Sequence, residues 1–195
     1  MPTHHLHSQR MLLAIILCAG LVGCSAVESR QPMGLEPAAD IAEQLQGVWA
    51  HGNDVICMTH IATGVCSLAY LETSKRAVDA TVYQLIVRRS PQRIYANLTQ
   101  PKDDPAATNL YCIALLQIND KNHCEVILPR VTAFAAAVEQ AAVAGTNKAK
   151  DSVTLDCSPA QFETYLAGVV QSNVWRTEEP VRLIRLVPAT GAATK

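Results

Sequence analysis

The sequence predicts an α+β domain: a curved antiparallel β-sheet, built as a meander, that carries two late helices in a single domain. Three observations carry that expectation. From Val48 to Leu128, short apolar or alternating runs follow one another between turn residues. After Val131 the apolar spacing lengthens to a helical repeat. The 195-residue chain is 49% apolar and 17% charged, which is enough to fill one core. With 16 Lys+Arg against 17 Asp+Glu, it lacks the basic excess of an electrostatic nucleic-acid binder and the charge imbalance of a disordered tail.

The first element is the uncharged run Met11–Gly23, preceded by a polar start with His4, His5, His7 and Arg10. Thirteen residues are too few to span a hydrocarbon core of ~30 Å as a helix, but they match the apolar region of a signal peptide. Residues 24–38, with Pro32, Gly34 and Pro37 and no periodic pattern, read as a flexible tether. The domain proper is expected over 39–188. It begins with a short helix at Asp40–Gln46, stopped by Gly47.

Strands are expected at Asp54–Ile61, Val65–Glu72, Val78–Arg89, Arg93–Thr99, Leu110–Ile118 and Cys124–Leu128. Ala62-Thr63-Gly64 and Asn119–Asn122 supply turns, and Gln100–Asn109 an exposed loop. Leu110–Leu116 lacks polar alternation, so it reads as a central strand covered on both faces. Val131, Phe134, Ala135, Val138 and Ala142 mark a helix, and Val153–Asp156 a strand. Ser158-Pro159-Ala160-Gln161 is a capping box opening a second helix with Phe162, Tyr165, Leu166, Val169 and Val170 on one face. Val181–Val187 closes the domain as a strand, and 189–195 read as a frayed tail.

The apolar run ends in Leu21-Val22-Gly23-Cys24, which resembles the lipobox of bacterial lipoproteins at all four positions. The resemblance implies cleavage between Gly23 and Cys24, removal of 1–23 as a signal peptide, and lipidation of the Cys24 sulfur and the new amino group. Small Gly23 lets the scissile bond approach a membrane protease, and only a thiol forms the thioether. Ser25 in the next position implies sorting to the outer membrane, with the chain anchored on its periplasmic side. Two or three acyl chains, at ~0.8 kcal/mol per buried methylene, make such anchoring durable.

Gly47-Val48-Trp49 after a short helix resembles the Gly-x-Trp opening of lipocalins, a resemblance confined to these three residues. In that family the Trp plugs the closed end of a small barrel whose open end holds an apolar ligand. On this reading Trp49, Tyr83 and Tyr111 are candidate ligand-lining residues. More broadly, the element order looks like that of small envelope lipoproteins of Gram-negative bacteria, which implies architecture and no mechanism.

Cys57, Cys66, Cys112, Cys124 and Cys157 remain beside the lipidated cysteine, an odd number in a compartment that favours disulfides. Cys57 falls about three residues out of register with Cys66, roughly 10 Å at ~3.3 Å per residue, beyond the Cα reach of a bridge. At most one bridge is expected, between non-adjacent strands and with Cys157 as a candidate partner. His51, His60 and His123 have no metal-ligand spacing, and no nucleophile elbow, glycine-rich phosphate loop or other catalytic motif is present. No metal, cofactor or enzymatic activity is therefore implied. Arg88, Arg89 and Arg93 form one basic cluster, read as a solvated strand end. Asn97-Leu98-Thr99 matches a glycosylation sequon by chance.

The functional expectation is a lipid-anchored periplasmic protein that binds rather than catalyses. A protein partner in the envelope is preferred, in an inhibitor, immunity or assembly role. The alternative is a lipocalin-like carrier of a small apolar or amphipathic ligand, disfavoured because nine aromatic residues are few for a cavity of several hundred Å³. An enzyme of unknown chemistry ranks third.

Overall fold

A computed structural model describes residues 26–74, 77–101, 109–149 and 152–188. The lipobox, the signal region and the tail at 189–195 lie outside the described residues. In chain order the elements begin with β1 (Ala26–Ser29), β2 (Glu36–Pro37), α1 (Ala39–Leu45), β3 (Gly47–His51), β4 (Asp54–Ala62) and β5 (Val65–Ser74). There follow β6 (Ala77–Ser90), β7 (Arg93–Thr99), β8 (Tyr111–Ile118), β9 (His123–Ile127) and α2 (Val131–Glu139). The chain ends with β10 (Gly145–Ala149), β11 (Ser152–Leu155), α3 (Pro159–Ala167), α4 (Gln171–Val174) and β12 (Val181–Pro188).

Strands β3 to β9 form an antiparallel meander, and β12 pairs with both β9 and β3. With β8 and β9 also paired, eight strands close into a barrel. The curved sheet expected from sequence is thus closed on itself, and only a wing remains open. An eight-stranded barrel has an interior that side chains nearly fill. Here Trp49, Ile56, Met58, Leu68, Tyr83, Leu85 and Leu183 fill it.

Strand β8 serves two neighbours in succession. Tyr111 and Cys112 pair with Ser29 and Glu28 of β1, whereas Leu115–Ile118 pair with β9. The sheet forks there. One branch closes the barrel; the other continues through β1 and the parallel β11 to the edge strand β10. Helices α2, α3 and α4 pack between that wing and the barrel wall, burying Phe134, Phe162, Leu166 and Trp175 against Tyr95, Ile113, Leu115 and Ile127. The continuous apolar run in β8 follows from this: Ala114 and Leu116 point into the barrel, while Ile113 and Leu115 point out beneath the helices. The capping box at Ser158 is present, the hydroxyl accepting from the Gln161 amide and Gln161 reaching back.

The segment expected as a tether belongs to the fold from Ala26 onward. Met33 and Ala38 are fully buried. Asn97, also buried, accepts from the Met33 amide (2.6 Å) and donates to the carbonyls of Met33 (3.0 Å) and Ile86 (3.1 Å). Arg88 donates to the carbonyls of Gly34 (2.8 Å) and Leu35 (2.9 Å). Gly34 has φ +103°, and a Cβ there would lie 2.6 Å from that of Arg88, so only glycine fits. Pro32, Gly34 and Pro37 mark a tight, pinned path across the barrel wall. The polar stretch after Gly145, given no element from sequence, is the edge strand β10.

Candidate functional site

The closed end of the barrel is built by α1, the β4–β5, β6–β7 and β8–β9 turns, and the start of β3. The Trp49 indole N–H donates to the Leu45 carbonyl (2.7 Å), fixing α1 as a plug. The Cys66 thiol donates to the Ala42 carbonyl (3.3 Å). From the last strand, the Arg185 guanidinium lies over the Trp49 ring, 4.4 Å from its centroid, and donates to the Gln44 carbonyl. Trp49 is thus buried in the core at this end, held by an arginine that sequence reasoning missed. A cation in the middle of the closing strand gave no signal, because its partner lies at the opposite end of the domain sequence.

Above the plug, a cavity of about 80 Å³ is lined by aliphatic and small side chains, including Leu45, Met58, Ala96, Cys112, Ala114 and Cys124. Ala96 and Ala114 are direct partners across β7 and β8, and two inward methyls side by side leave the space. None of Trp49, Tyr83 and Tyr111 lines it. Trp49 and Tyr83 are buried within the barrel core, whereas Tyr111 stands opposite Ser29 of β1 in the forked region. Ligand sites for drug-sized molecules run to ~300–1,000 Å³, so this lumen has room for only a few methylene groups.

The outer wall is apolar over five strands. Residues directly opposite in antiparallel strands share a face. One outward row is Ile184–Ala50–Val55–Leu71–Ala80 and the next is Val48–Cys57–Ala69–Val82. Ile184, Leu186 and Val82 are each more than half exposed (52%, 56% and 52%). Neither row carries a charge, and the polar row Thr59–Ser67–Gln84 borders them. Ala50, Ala69 and Ala80 are interspersed with Val55, Leu71, Val82 and Ile184 in an uncharged band.

At the rim of the closed end lies a cleft of about 710 Å³ beside the β6–β7 turn, lined by Arg89, Pro91, Gln92, Arg93, Gln117 and Gln171 among others. Its arginines are already engaged. Arg93 (12% exposed) donates to Glu163 of α3 (3.1 Å) and to the Leu166 carbonyl (3.4 Å). Glu163 also accepts from the Ser90 hydroxyl (2.7 Å) and from the Tyr95 hydroxyl. Burial first, then the bond to Glu163 and its charge, raise the Tyr95 phenol far above its ordinary range. Arg89 pairs with Asp40 and Glu36. The arginine cluster, expected as a solvated strand end, instead latches α1, α3 and the N-terminal segment to the barrel. With both arginines neutralised, the cleft carries no anion-binding charge.

All five described cysteines are free thiols, so the bridge allowed from sequence is not formed. The pairing explains why: Cys57 faces outward opposite Ala69, whereas Cys66 faces inward opposite His60. Cys124 pairs with Ile118, six positions from Cys112. Burial pushes Cys66 and Cys157 up to about 11, and Cys112 and Cys124 up to about 12. Thiols in this state are poor nucleophiles and poor metal ligands at neutral pH. His51 bonds the Arg182 carbonyl (2.9 Å). His123 contacts Asp120 (2.8 Å), whose carboxyl is held low first by the Asn122 amide and then by His123. Among the described residues no cluster of His, Cys, Asp and Glu is placed to hold a metal, and no helix is long and apolar enough to cross a membrane.

Comparison with protein-family models, with curated proteins and with solved structures found no match.

Proposed function

We propose that this chain is a lipid-anchored envelope lipoprotein, held on the periplasmic side of the outer membrane, whose barrel wall docks a protein partner. The observation that carries the docking role is the uncharged band on β12, β3, β4, β5 and β6. Apolar surface of this continuity, bordered by a polar row, is characteristic of interaction sites. The anchor is supported by the Leu21-Val22-Gly23-Cys24 motif following an apolar run of signal-peptide length. Lipid carriage inside the barrel is the weaker reading, because a cavity of about 80 Å³ cannot hold an acyl chain. An inhibitor, immunity or assembly role is compatible with a closed barrel.

The test is affinity capture by the full-length chain expressed in a Gram-negative host, with the doubly charged variant Val55→Lys/Ala69→Glu as control. The wild-type chain is expected to incorporate labelled palmitate and to enrich envelope proteins that the variant loses. Retention of the same proteins by a folded variant would remove the band from the function. Absence of palmitate would remove the anchor.

A further inference from the structure

We infer that the closed end of the barrel is the surface that rests on the lipid bilayer, with the opposite end and the apolar outer wall directed away from it. This rests on the reading of Cys24 as the lipidated residue and adds an orientation that the lipobox does not supply.

The first argument is register. Strand β8 runs toward the closed end, where Ile118 leads into the β8–β9 turn. Strand β1 is antiparallel to it, with Ser29 opposite Tyr111 and Glu28 opposite Cys112. The chain therefore enters β1 from the closed-end side, and Ala26 falls level with Ala114. Only Ser25 separates Cys24 from Ala26. Two residues reach at most about 7 Å, and Ile118 lies four residue steps, about 13 Å, beyond Ala114. A glyceryl thioether at Cys24 covers much of the remainder. From Ala26 onward the described chain adds no slack, since Ala26 and Val27 are already buried in the sheet.

The second argument is independent of the anchor. Of the six large apolar side chains that are exposed among the described residues, Leu35 (48%), Ile61 (56%) and Val170 (64%) lie at this end. They come from three unconnected parts of the chain: the approach to β2, the end of β4 and the α3–α4 junction. Glu163, Leu166 and Gln171 at the β6–β7 rim place the α3–α4 junction there. The arginines at this end are spent on Glu36, Asp40, Glu163 and main-chain carbonyls, and exposed Lys121 shares its rim with Asp120 and Glu43, so the contact is apolar insertion at the interface rather than attraction to anionic headgroups. Among the described residues, the Gly52-Asn53 turn at the other end carries no large exposed apolar side chain.

The experiment uses the full-length, processed chain reconstituted in phosphatidylethanolamine vesicles with and without phosphatidylglycerol. On a Cys57→Ser background, a fluorophore is placed at Gln92→Cys, on the closed-end turn, or at Ala80→Cys, on the wall toward the other end. Nitroxide-labelled lipid is the quencher. The expected result is quenching several-fold stronger at 92 than at 80, unchanged by phosphatidylglycerol, in material whose intact mass carries the acyl groups on Cys24. Equal or inverted quenching in acylated material overturns the orientation alone. Material without acylation overturns both the orientation and the anchor. A third variant, Leu35→Asp/Ile61→Asp with the label at 92, is expected to lower quenching; no change would remove the apolar contact from the argument.

Discussion

On one side of the barrel, Ile113, Leu115 and Ile127 point outward and are buried beneath α2, α3 and α4. On the other side, Val55, Leu71 and Val82 point outward from an equally regular sheet and meet solvent. The chain between β9 and β12 contains every described helix except the plug, and all of these helices are laid over the first wall. The difference lies in side-chain size. The covered wall presents Tyr95, Ile113, Leu115 and Ile127, each stabilising the fold by about 1.5–3 kcal/mol when removed from water. The bare band is thinned by Ala50, Ala69 and Ala80, whose burial would contribute less. A wall of large side chains demands its own cover. A wall of small ones can face water alone and is available to another molecule.

That contrast can be broken most severely on the covered side. Phe134 stacks on Phe162 (5.9 Å), meets Trp175 edge-on (5.8 Å) and touches Tyr165 (6.0 Å). Phe134→Ala is expected to cost about 3–5 kcal/mol, measured by urea unfolding, since the surrounding rings cannot collapse into the gap. A loss under about 1 kcal/mol would mean that the helices contribute little to the fold. Glu163→Ala should cost about 3 kcal/mol, because it strands a mostly buried guanidinium and leaves the Ser90 and Tyr95 hydroxyls without their acceptor. Its readout is a melting temperature lower by roughly 6–12 °C. The mirror experiment on the bare wall is the gentlest. Val82→Thr should change stability by no more than about 0.5 kcal/mol, and a larger loss would show that something in the chain itself already covers the band.

The elements were largely legible in the sequence; their partnerships were not. Alternation marks β4 to β7, and the uninterrupted run at Tyr111–Leu116 announces cover on both faces, because these patterns are local. Barrel closure joins Ile184 to Ala50, and no local pattern records which distant strand will be the neighbour. Strand β1 is four residues beside two prolines and a glycine, and its burial depends on β8 and β11. Asn97 looks like a sequon in one dimension and is a buried bracket for Met33 in three. Trp49 could be placed at the start of a strand but not beneath Arg185, and Tyr111 could be counted as aromatic but not assigned to the fork. The arginine cluster was visible as charge, whereas its carboxylate partners, Glu163 above all, arrive from the far end of the chain.

The parallel pairing of β1 with β11 has a consequence for the order of events during synthesis. Ala26–Ser29 is among the earliest folded sequence to emerge, yet its neighbour Ser152–Leu155 comes more than a hundred residues later. β3 likewise waits for β12, so neither layer can be completed until the final quarter of the polypeptide has been delivered. Contacts this remote fold slowly. Until those last segments arrive, β1 has only the Tyr111–Cys112 end of β8 to pair with.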